Sequence, residues 1–337
     1  MKKIRIGFIG VGFISQTCHL PCFYHNKHTE IVAISDKNQE LLNEVSKKYQ
    51  IKKLYKDYNL MIKNEKLDAI VVVVERHFTA NILKNIIKHR IPIFTEKPPA
   101  LTYSDAKILK RLALKFKTPV NVGYMKIYDK GIVYLKKLLS SKNIGNLENV
   151  IYLSHGGDSY CSPFMYHRIF KKKATLKSLS INKKIKNKKE YLSFINAQSH
   201  SISLMKYLFG NLNIKFKKVK NNGLITVFFD SNNLDILLDC KFSISKKWEE
   251  KILIFHSKGK IEVDLPAPQL ANVPAKIKIQ NYEDGSFIEP KISWSWAFKE
   301  QADHFIDFIK KRKKNKYLPN DIVNCSEDIG LMENIFK

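Results

Sequence analysis

Short apolar runs alternate with amphipathic stretches along the first third of the chain. The run Ala69–Val74 is unbroken and rich in β-branched residues, which is typical of a strand buried on both faces of a parallel sheet. The predicted strands are Ile4–Ile9, Glu30–Ser35, Ala69–Val74, Ile91–Thr95 and Pro119–Val122, and the predicted helices are Phe13 to about Asn26, Lys37–Tyr49, Thr79–Lys88 and Ser104–Phe116, the last capped by Ser104. Strands separated by helices of this length form right-handed βαβ units, so we predict a doubly wound parallel sheet over residues 1–123.

The pattern changes after Gly123, where several runs alternate apolar and polar residues. Such alternation is typical of an antiparallel sheet with one covered face. The predicted strands are Leu147–Leu153, Gly223–Phe229, Asn233–Phe242, Glu250–His256, Lys260–Val263 and Ala275–Ile279, and the predicted helices lie near Asp129–Leu139, Asn196–Phe209 and Phe298–Lys310. We therefore predict an α/β protein in which residues 124–337 form a second, α+β domain on a mostly antiparallel sheet.

The net charge of +28 raises the possibility of a nucleic-acid partner. Six of the 59 basic residues are Arg and 53 are Lys, spread over the whole length, whereas Arg is the preferred group for bidentate phosphate and base recognition. We interpret the charge as solvated surface and predict no specific nucleic acid. The lysine-rich stretch Lys171–Lys189 reads as an exposed insertion or, alternatively, a phosphate-binding loop, and Lys310–Lys314 reads as a solvated helix end.

The five cysteines are odd in number and form no Cys-x-x-Cys pair, which indicates neither a disulfide framework nor a zinc site. We predict no metal and a reducing, cytoplasmic location. The apolar stretch after Met1-Lys2-Lys3 superficially resembles a signal peptide, but no small-residue cleavage site follows it. The apolar run Ala69–Val74 is far too short to span a bilayer, so no membrane partner is expected.

The segment Gly10-Val11-Gly12-Phe13-Ile14-Ser15 follows the first predicted strand and opens the first predicted helix. This context is the one that a dinucleotide-binding fingerprint requires. Gly10 permits the tight turn, and Gly12 lets the backbone approach a pyrophosphate at the helix N-terminus. Ser15 replaces the third glycine with another small residue. The segment therefore predicts binding of a dinucleotide cofactor.

Asp36 ends the second predicted strand, 24 residues after Gly12. A carboxylate in that position accepts hydrogen bonds from the adenosine ribose hydroxyls and repels a 2′-phosphate, which favours NAD over NADP. Lys37 follows at once and softens that repulsion, so NADP stays possible. The alternative interpretation is that Asp36 only caps the next helix.

Glu96-Lys97-Pro98-Pro99 follows the predicted strand Ile91–Thr95. A lysine at the carboxyl end of such a strand faces the crevice where cofactor and substrate meet. The prolines restrict the turn and so restrict the direction of Lys97. A loop lysine in a lysine-rich protein is the alternative.

Four motifs stand together in this chain, namely Gly10-Val11-Gly12 with His19-Leu20-Pro21, Glu96-Lys97-Pro98, Val122–Asp129, and His200 followed by Leu204–Gly210. In this combination the chain resembles the glucose–fructose oxidoreductase / inositol dehydrogenase / rhizopine catabolism (Gfo/Idh/MocA) family. The resemblance implies a Rossmann domain followed by a domain with an open sheet, and we expect the last helices, about 296–337, to pack back on the Rossmann domain. It implies NAD(P)-dependent oxidation or reduction of sugars, cyclitols or sugar nucleotides by a homodimer or homotetramer.

The resemblance assigns catalytic roles to Lys97, near the nicotinamide and the reacting oxygen, and to His200 as general acid/base. Imidazole has a pKa near working pH, and a nearby lysine stabilises a developing alkoxide. The family commonly places acids at the positions of Asn196 and Ser203, which carry no charge here. This difference predicts an altered substrate preference or slow turnover and, rarely, inactivity.

The expected site residues fall into two further groups. The cofactor group is Gly10, Gly12, Phe13, Ile14, Asp36, His77, Glu96 and Lys97, and the substrate group is Tyr124, Lys126, Asn196 and Ser203. His77 is expected to border the nicotinamide ribose, and a surface-loop histidine is the alternative. The function predicted from the sequence is hydride transfer between nicotinamide and a C–OH carbon. A non-catalytic, cofactor-binding or regulatory protein of the same family is the alternative.

Overall fold

The computed structural model describes residues 2–141, 144–157, 183–185, 187–220, 222–243, 247–311 and 317–337. Most of the lysine-rich stretch predicted as an insertion, and residues 312–314 of the second basic run, lie outside the described residues. The chain divides into two compact units. The N-terminal unit comprises residues 1–124 and 301–330, and the C-terminal unit comprises residues 125–165, 183–300 and 331–337, each within its described part.

The N-terminal unit contains a six-stranded parallel sheet, which confirms the doubly wound fold. Its strands are β1 (Ile4–Ile9), β2 (Thr29–Ser35), β3 (Lys53–Tyr55), β4 (Ala69–Val72), β5 (Ile93–Thr95) and β6 (Val120–Val122). The strand order is β3-β2-β1-β4-β5-β6. Strands β2 and β3 are added on one side of β1 and strands β4 to β6 on the other, so the strand order reverses between β1 and β4. Ligands of open α/β sheets bind at the carboxyl ends of the strands near such a reversal.

Helices cover both faces of this sheet. They are α1 (Leu20–Tyr24), α2 (Gln39–Tyr49), α3 (Tyr58–Asn64), α4 (Arg76–Ile86) and α5 (Tyr103–Phe116), with most of α9 (Ala297–Lys310) and α10 (Ile322–Phe336). The sequence did not predict β3 or α3, because each lacks a strong apolar period. The prediction that Ser104 caps α5 is wrong, since extended Thr102 precedes the helix and accepts a hydrogen bond from the Asp105 amide.

The C-terminal unit contains an eight-stranded sheet that is antiparallel except where β10 pairs with β7. Its strands are β7 (Leu147–Gly156), β8 (Asn213–Val219), β9 (Leu224–Ser231), β10 (Leu234–Ser243), β11 (Glu249–His256), β12 (Gly259–Asp264), β13 (Lys276–Asn281) and β14 (Phe287–Ile288). Buried and more exposed side chains alternate along β9, β11 and β12, so one sheet face is covered. The predicted mostly antiparallel second sheet is confirmed.

The helices of this unit are α6 (Lys130–Leu139), α7 (Lys188–Ala197) and α8 (Ser199–Phe209). The single helix predicted for Asn196–Phe209 is wrong, because two helices meet at Gln198. Asn196 therefore belongs to α7, while His200 belongs to α8. Among the described residues, no helix combines the length and the apolar character needed to cross a membrane.

Candidate active site

The turn after β1 has two glycines with opposite steric surroundings. Gly10 has φ +88°, and a Cβ added there would lie 2.1 Å from the carbonyl oxygen of Val73, so only glycine fits. A Cβ added at Gly12 would meet no atom within 4 Å. The Gly12 backbone therefore faces open space, as a loop that receives a pyrophosphate requires.

The helical segment after this turn begins with Phe13 and Ile14 and contains a π-helical stretch, Ser15–His19, before α1. The Gln16 side-chain amide donates to the carbonyl oxygen of Val11 at 2.8 Å, a contact that holds the turn and that the sequence did not predict. The hydroxyl of Ser15 is buried, and no partner for it lies within the part of the chain that the structure describes. The Ser15 hydroxyl is therefore a polar group beside the glycine turn that could bind a ligand.

Asp36 connects the ends of two neighbouring strands. Its carboxylate accepts hydrogen bonds from the backbone amides of Val11 and Asn38, each at 3.0 Å. The cap of α2 is Asn38, whose side chain accepts from the amides of Glu40 and Leu41. The interpretation of Asp36 as only a helix cap is therefore wrong, and its carboxylate lies beside the glycine turn.

His77 lies in the first turn of α4. Its Nε2 is 3.5 Å from a carboxylate oxygen of Glu75, and its ring centroid is 3.9 Å from that of Phe78. Phe78 is 44% exposed, and the ammonium of Lys37 lies 5.4 Å from its ring centroid. An exposed aromatic face beside the Lys37 ammonium is a feature that the sequence did not predict, since Phe78 follows an apolar strand and resembles a core residue. The contact of His77 with a nicotinamide ribose stays a prediction.

The turn after β5 is held by its own carboxylate. Glu96 Oε2 accepts a hydrogen bond from the Lys97 amide at 2.9 Å, and its Oε1 lies 2.7 Å from Nε2 of His19. The following peptide bond, Lys97-Pro98, is cis, and the Lys97 side chain is partly exposed. The sequence did not predict a role for His19, although it noted the motif that contains it.

Burial raises the pKa of the Glu96 carboxyl, but the hydrogen bond and charge of His19, with the charge and amide of Lys97, outweigh burial. The net effect lowers that pKa below its usual value, so Glu96 is a buried carboxylate at neutral pH. Its direct contact with a cofactor stays a prediction.

Tyr124 is 1% exposed and lies inside the N-terminal unit. Burial raises the pKa of its phenol well above the usual value, with smaller contributions from Cys325, Asp328 and Glu96. The phenol is therefore neutral, and its role in substrate binding stays a prediction.

Lys126 lies in a buried polar cluster of the C-terminal unit. Its ammonium forms an ion pair with the fully buried Glu250, and Tyr152 donates a hydrogen bond of 2.6 Å to the same carboxylate. The indole ring of Trp248 lies 5.8 Å from the ammonium. The sequence did not identify Glu250, because a carboxylate inside a strand resembles an exposed residue. Contact of Lys126 with substrate stays a prediction.

The remaining predicted residues lie on two helices of the C-terminal unit. His200 and Ser203 lie one turn apart on α8, with His200 partly exposed and Ser203 buried, and Asn196 is partly exposed near the end of α7. The Ser201 hydroxyl donates to the side-chain oxygen of Gln198 at 2.8 Å and so fixes the junction between the helices. The proton-transfer role of His200 stays a prediction.

Residues 4–124 match the family model GFO_IDH_MocA, described as an oxidoreductase family with an NAD-binding Rossmann fold. A relative from Halalkalibacterium halodurans, inositol 2-dehydrogenase/D-chiro-inositol 3-dehydrogenase, is 33% identical over 153 residues. That match covers 42% of this chain and 41% of the length of the relative. The match confirms the predicted family resemblance for residues 4–124, whereas the cofactor-binding roles of individual residues stay predictions.

Solved structures match nearly the whole chain. A dehydrogenase (MviM) from Clostridium difficile has a TM-score of 0.76 and 19% identity and covers 99% of both chains. KijD10, a 3-ketoreductase from Actinomadura kijaniata in complex with TDP-benzene and NADP, has a TM-score of 0.74 and 12% identity, with 98% of this chain and 95% of that chain covered. At these identities the matches show that the fold is shared.

Proposed function

We propose that this chain, whose residues 4–124 match the GFO_IDH_MocA oxidoreductase family model, is an NAD(P)-dependent oxidoreductase that transfers a hydride between nicotinamide and a C–OH carbon. The observation that carries the proposal is the sheet order, in which β5 lies two strands from β1. The glycine turn after β1 and Lys97 after β5 therefore emerge from the same edge of the sheet. The N-terminal unit therefore combines the proposed nucleotide-binding turn with the ammonium group of Lys97.

The residues of the N-terminal unit fit a dinucleotide. The open space at Gly12 admits a pyrophosphate, and Asp36 offers carboxylate lone pairs to ribose hydroxyls beside it. When bound, the nicotinamide supplies the acceptor or donor of the hydride. We propose NAD as the preferred cofactor, because Asp36 repels a 2′-phosphate, and NADP as possible, because Lys37 adjoins Asp36.

Lys97 would hold the reacting oxygen and stabilise negative charge on it. Removal of a hydride from a C–OH carbon leaves a proton that another group must accept, and an imidazole such as that of His200 suits this task at neutral pH. The role of His200 rests on the family resemblance and on its position in the first turn of α8. We propose both roles separately, so each has its own variant.

The substrate class follows from the relatives. One is an inositol dehydrogenase and another structure holds a TDP compound with NADP, so a cyclitol, a sugar or a sugar nucleotide is proposed for this chain. All three classes present secondary hydroxyls beside a hydroxyl-rich ring. Asn196 and Ser203 are uncharged, so they favour a substrate that needs hydrogen bonds at those positions and not a negatively charged partner.

Titration with NADH and NADPH, followed by fluorescence, tests cofactor binding, and a panel of cyclitols, sugars and sugar nucleotides tests hydride transfer. We expect Lys97→Ala to lower kcat by at least about 100-fold and His200→Ala by about 100- to 10,000-fold, with NADH affinity within about twofold. Lys52→Ala, a change of an exposed lysine, is the matched control. Absence of NADH and NADPH binding at millimolar concentration would overturn the proposal.

A non-catalytic member of the family is the second candidate, and the missing charges at Asn196 and Ser203 favour it. This candidate predicts cofactor binding without redox turnover across the whole panel. The absorbance band of reduced nicotinamide reports the oxidation state of the bound cofactor after incubation with each substrate. This measurement separates the two candidates.

Self-association is proposed through the outer face of the second sheet. An apolar row crosses five strands in register, namely Phe216, Phe228, Leu237, Ile151 and Leu253. Two of its members, Phe216 and Phe228, are 53% and 42% exposed. A second copy would cover this row, and a homodimer or homotetramer would result.

Analytical ultracentrifugation tests the assembly. Leu237→Asp should convert the assembly to monomers, because the carboxylate would lie at the centre of the apolar row. Leu114→Asp, the same change at an exposed leucine of α5, should leave the assembly intact. A wild-type chain that sediments as a monomer would contradict this proposal. Cys18 and Cys240 are buried thiols, and we propose a cytoplasmic location on this ground.

A further inference from the structure

A histidine and a glutamate form a buried pair beneath the Lys97 turn. His19 is 1% exposed, the Glu96 side chain is 12% exposed, and the two groups are 2.7 Å apart. The imidazole ring packs against Phe94 of β5, with 5.1 Å between the ring centroids. A pair of this burial and distance has a fixed geometry, since neither side chain has room to adopt another rotamer without losing its partner.

The pair connects three segments at the carboxyl edge of the first sheet. His19 ends the π-helical stretch that follows the glycine turn, Glu96 follows β5, and Gly123 follows β6. A Cβ added at Gly123 would lie 3.1 Å from Oε1 of Glu96, so the glycine makes room for the carboxylate. The second oxygen of Glu96 accepts the Lys97 amide. The orientation of the Lys97 backbone is thereby tied to the cofactor-binding helical segment.

We propose that His19 and Glu96 are positioning residues for Lys97. Glu96 holds the Lys97 backbone amide and supplies a negative charge that interacts with the charge of Lys97, and His19 holds Glu96. This inference rests on the proposed function only in treating Lys97 as the group that meets the reacting oxygen. A carboxylate nearby favours the protonated ammonium, and the protonated form is the one that can donate a hydrogen bond to that oxygen. Neither His19 nor Glu96 is assigned contact with the reacting atoms.

Four groups that interact with Glu96 come from three places in the unit. They are Cys18 and His19 of the π-helical stretch, the adjoining Lys97, and Tyr124 after β6. Burial raises the pKa of the Cys18 thiol to about 12, and that of the Tyr124 phenol lies well above its usual value, so both are neutral at physiological pH. The charges that act on Glu96 are therefore those of His19 and Lys97.

The first experiment measures Lys97 directly and needs no substrate. Lysines are labelled competitively with trace acetic anhydride from pH 7 to pH 11, and peptide mass spectrometry gives the apparent pKa of each. We expect Glu96→Gln, which keeps the shape of the side chain, to lower the apparent pKa of Lys97 and to leave that of Lys52 unchanged. An unchanged Lys97 profile in folded Glu96→Gln protein would overturn the electrostatic part of the inference.

The second experiment compares two substitutions at His19. His19→Gln keeps a side-chain N–H that can reach Glu96, whereas His19→Leu removes it and leaves a buried carboxylate without that donor. We expect His19→Leu to lower kcat by roughly 10- to 100-fold with NADH affinity within about twofold, and His19→Gln to restore most of the loss. The same two changes at exposed His25 should leave kcat unaltered.

Folding is followed by circular dichroism, and rates are normalised to the folded fraction. Equal kcat values for wild type, His19→Leu and Glu96→Gln, with only thermal stability reduced, would show a structural pair and overturn the positioning role. Failure of the proposed function has a different outcome, namely no NADH binding or no effect of Lys97→Ala. The labelling experiment still decides whether Glu96 sets the charge of Lys97 in that case.

Discussion

The carboxylate of Asp36 accepts a hydrogen bond of 3.0 Å from the backbone amide of Val11, 25 residues earlier in the chain. The contact fixes the end of β2 against the glycine turn after β1. A carboxylate therefore stands beside the turn that would receive the cofactor pyrophosphate, at the place where a ribose would bind.

Asp36 is expected to decide between NAD and NADP. Asp36→Ala removes the ribose acceptor and the charge that repels a 2′-phosphate, so NADH should bind about tenfold more weakly and NADPH more tightly. Lys37→Ala should act in the opposite direction on NADPH. Fluorescence titration of both variants gives the ratio of dissociation constants, and a ratio equal to that of wild type would refute the assignment.

The two glycines of the first turn should respond differently to a Cβ. Gly10→Ala forces a side chain to within 2.1 Å of the Val73 carbonyl oxygen at φ +88°, so we expect reduced thermal stability or failure to fold. Gly12→Val places its side chain in open space, so it should fold normally and weaken NADH binding by tenfold or more. Thermal melts and NADH titration separate these outcomes, and tight NADH binding by Gly12→Val would contradict the proposed pyrophosphate position.

Acid should weaken the contribution of Glu96 to stability. A carboxyl whose pKa is lower in the folded state contributes stability above its unfolded pKa, and this contribution is lost as the pH falls through the folded pKa. We therefore expect the difference in unfolding free energy between wild type and Glu96→Gln to shrink below about pH 4.3. Urea unfolding from pH 7 to pH 3 measures this difference, which should not vary with pH if the carboxyl is unpaired.

The buried ion pair of the C-terminal unit should show strong coupling. Lys126→Met leaves Glu250 as an unpaired buried charge, and Glu250→Gln likewise leaves Lys126 as an unpaired buried charge. Each change should therefore lower the free energy of unfolding by about 3–5 kcal/mol. The double variant should recover much of that loss. A double-mutant cycle from urea unfolding gives the coupling energy.

The more exposed pair Lys260–Glu262, with 2.6 Å between its charged groups, is the matched control. Its coupling should stay below about 1 kcal/mol, because solvent screens it. Equal coupling in the two pairs would show that the burial of Lys126 and Glu250 has no energetic consequence.

Local patterns in the sequence predicted most of the first sheet. The unbroken apolar run in β4 indicates a strand that is buried on both faces. The glycine turn after β1 indicates a position that requires a positive φ. The mostly antiparallel second sheet was predicted from a local pattern as well, because alternating apolar and polar residues along a strand indicate that one face of the sheet is covered. Short elements without an apolar period, such as β3 and α3, were not predictable in this way.

The sequence by itself determined the two fold classes, the glycine turn after β1 and the choice of Lys97 as a candidate catalytic residue. Only the tertiary structure decided that His19 meets Glu96 across 77 residues and that Glu250 pairs with Lys126 across 124 residues. A residue type and its neighbours report local backbone preference and burial. The partner of a buried charge depends instead on which distant segments the fold brings together, and no local pattern encodes that.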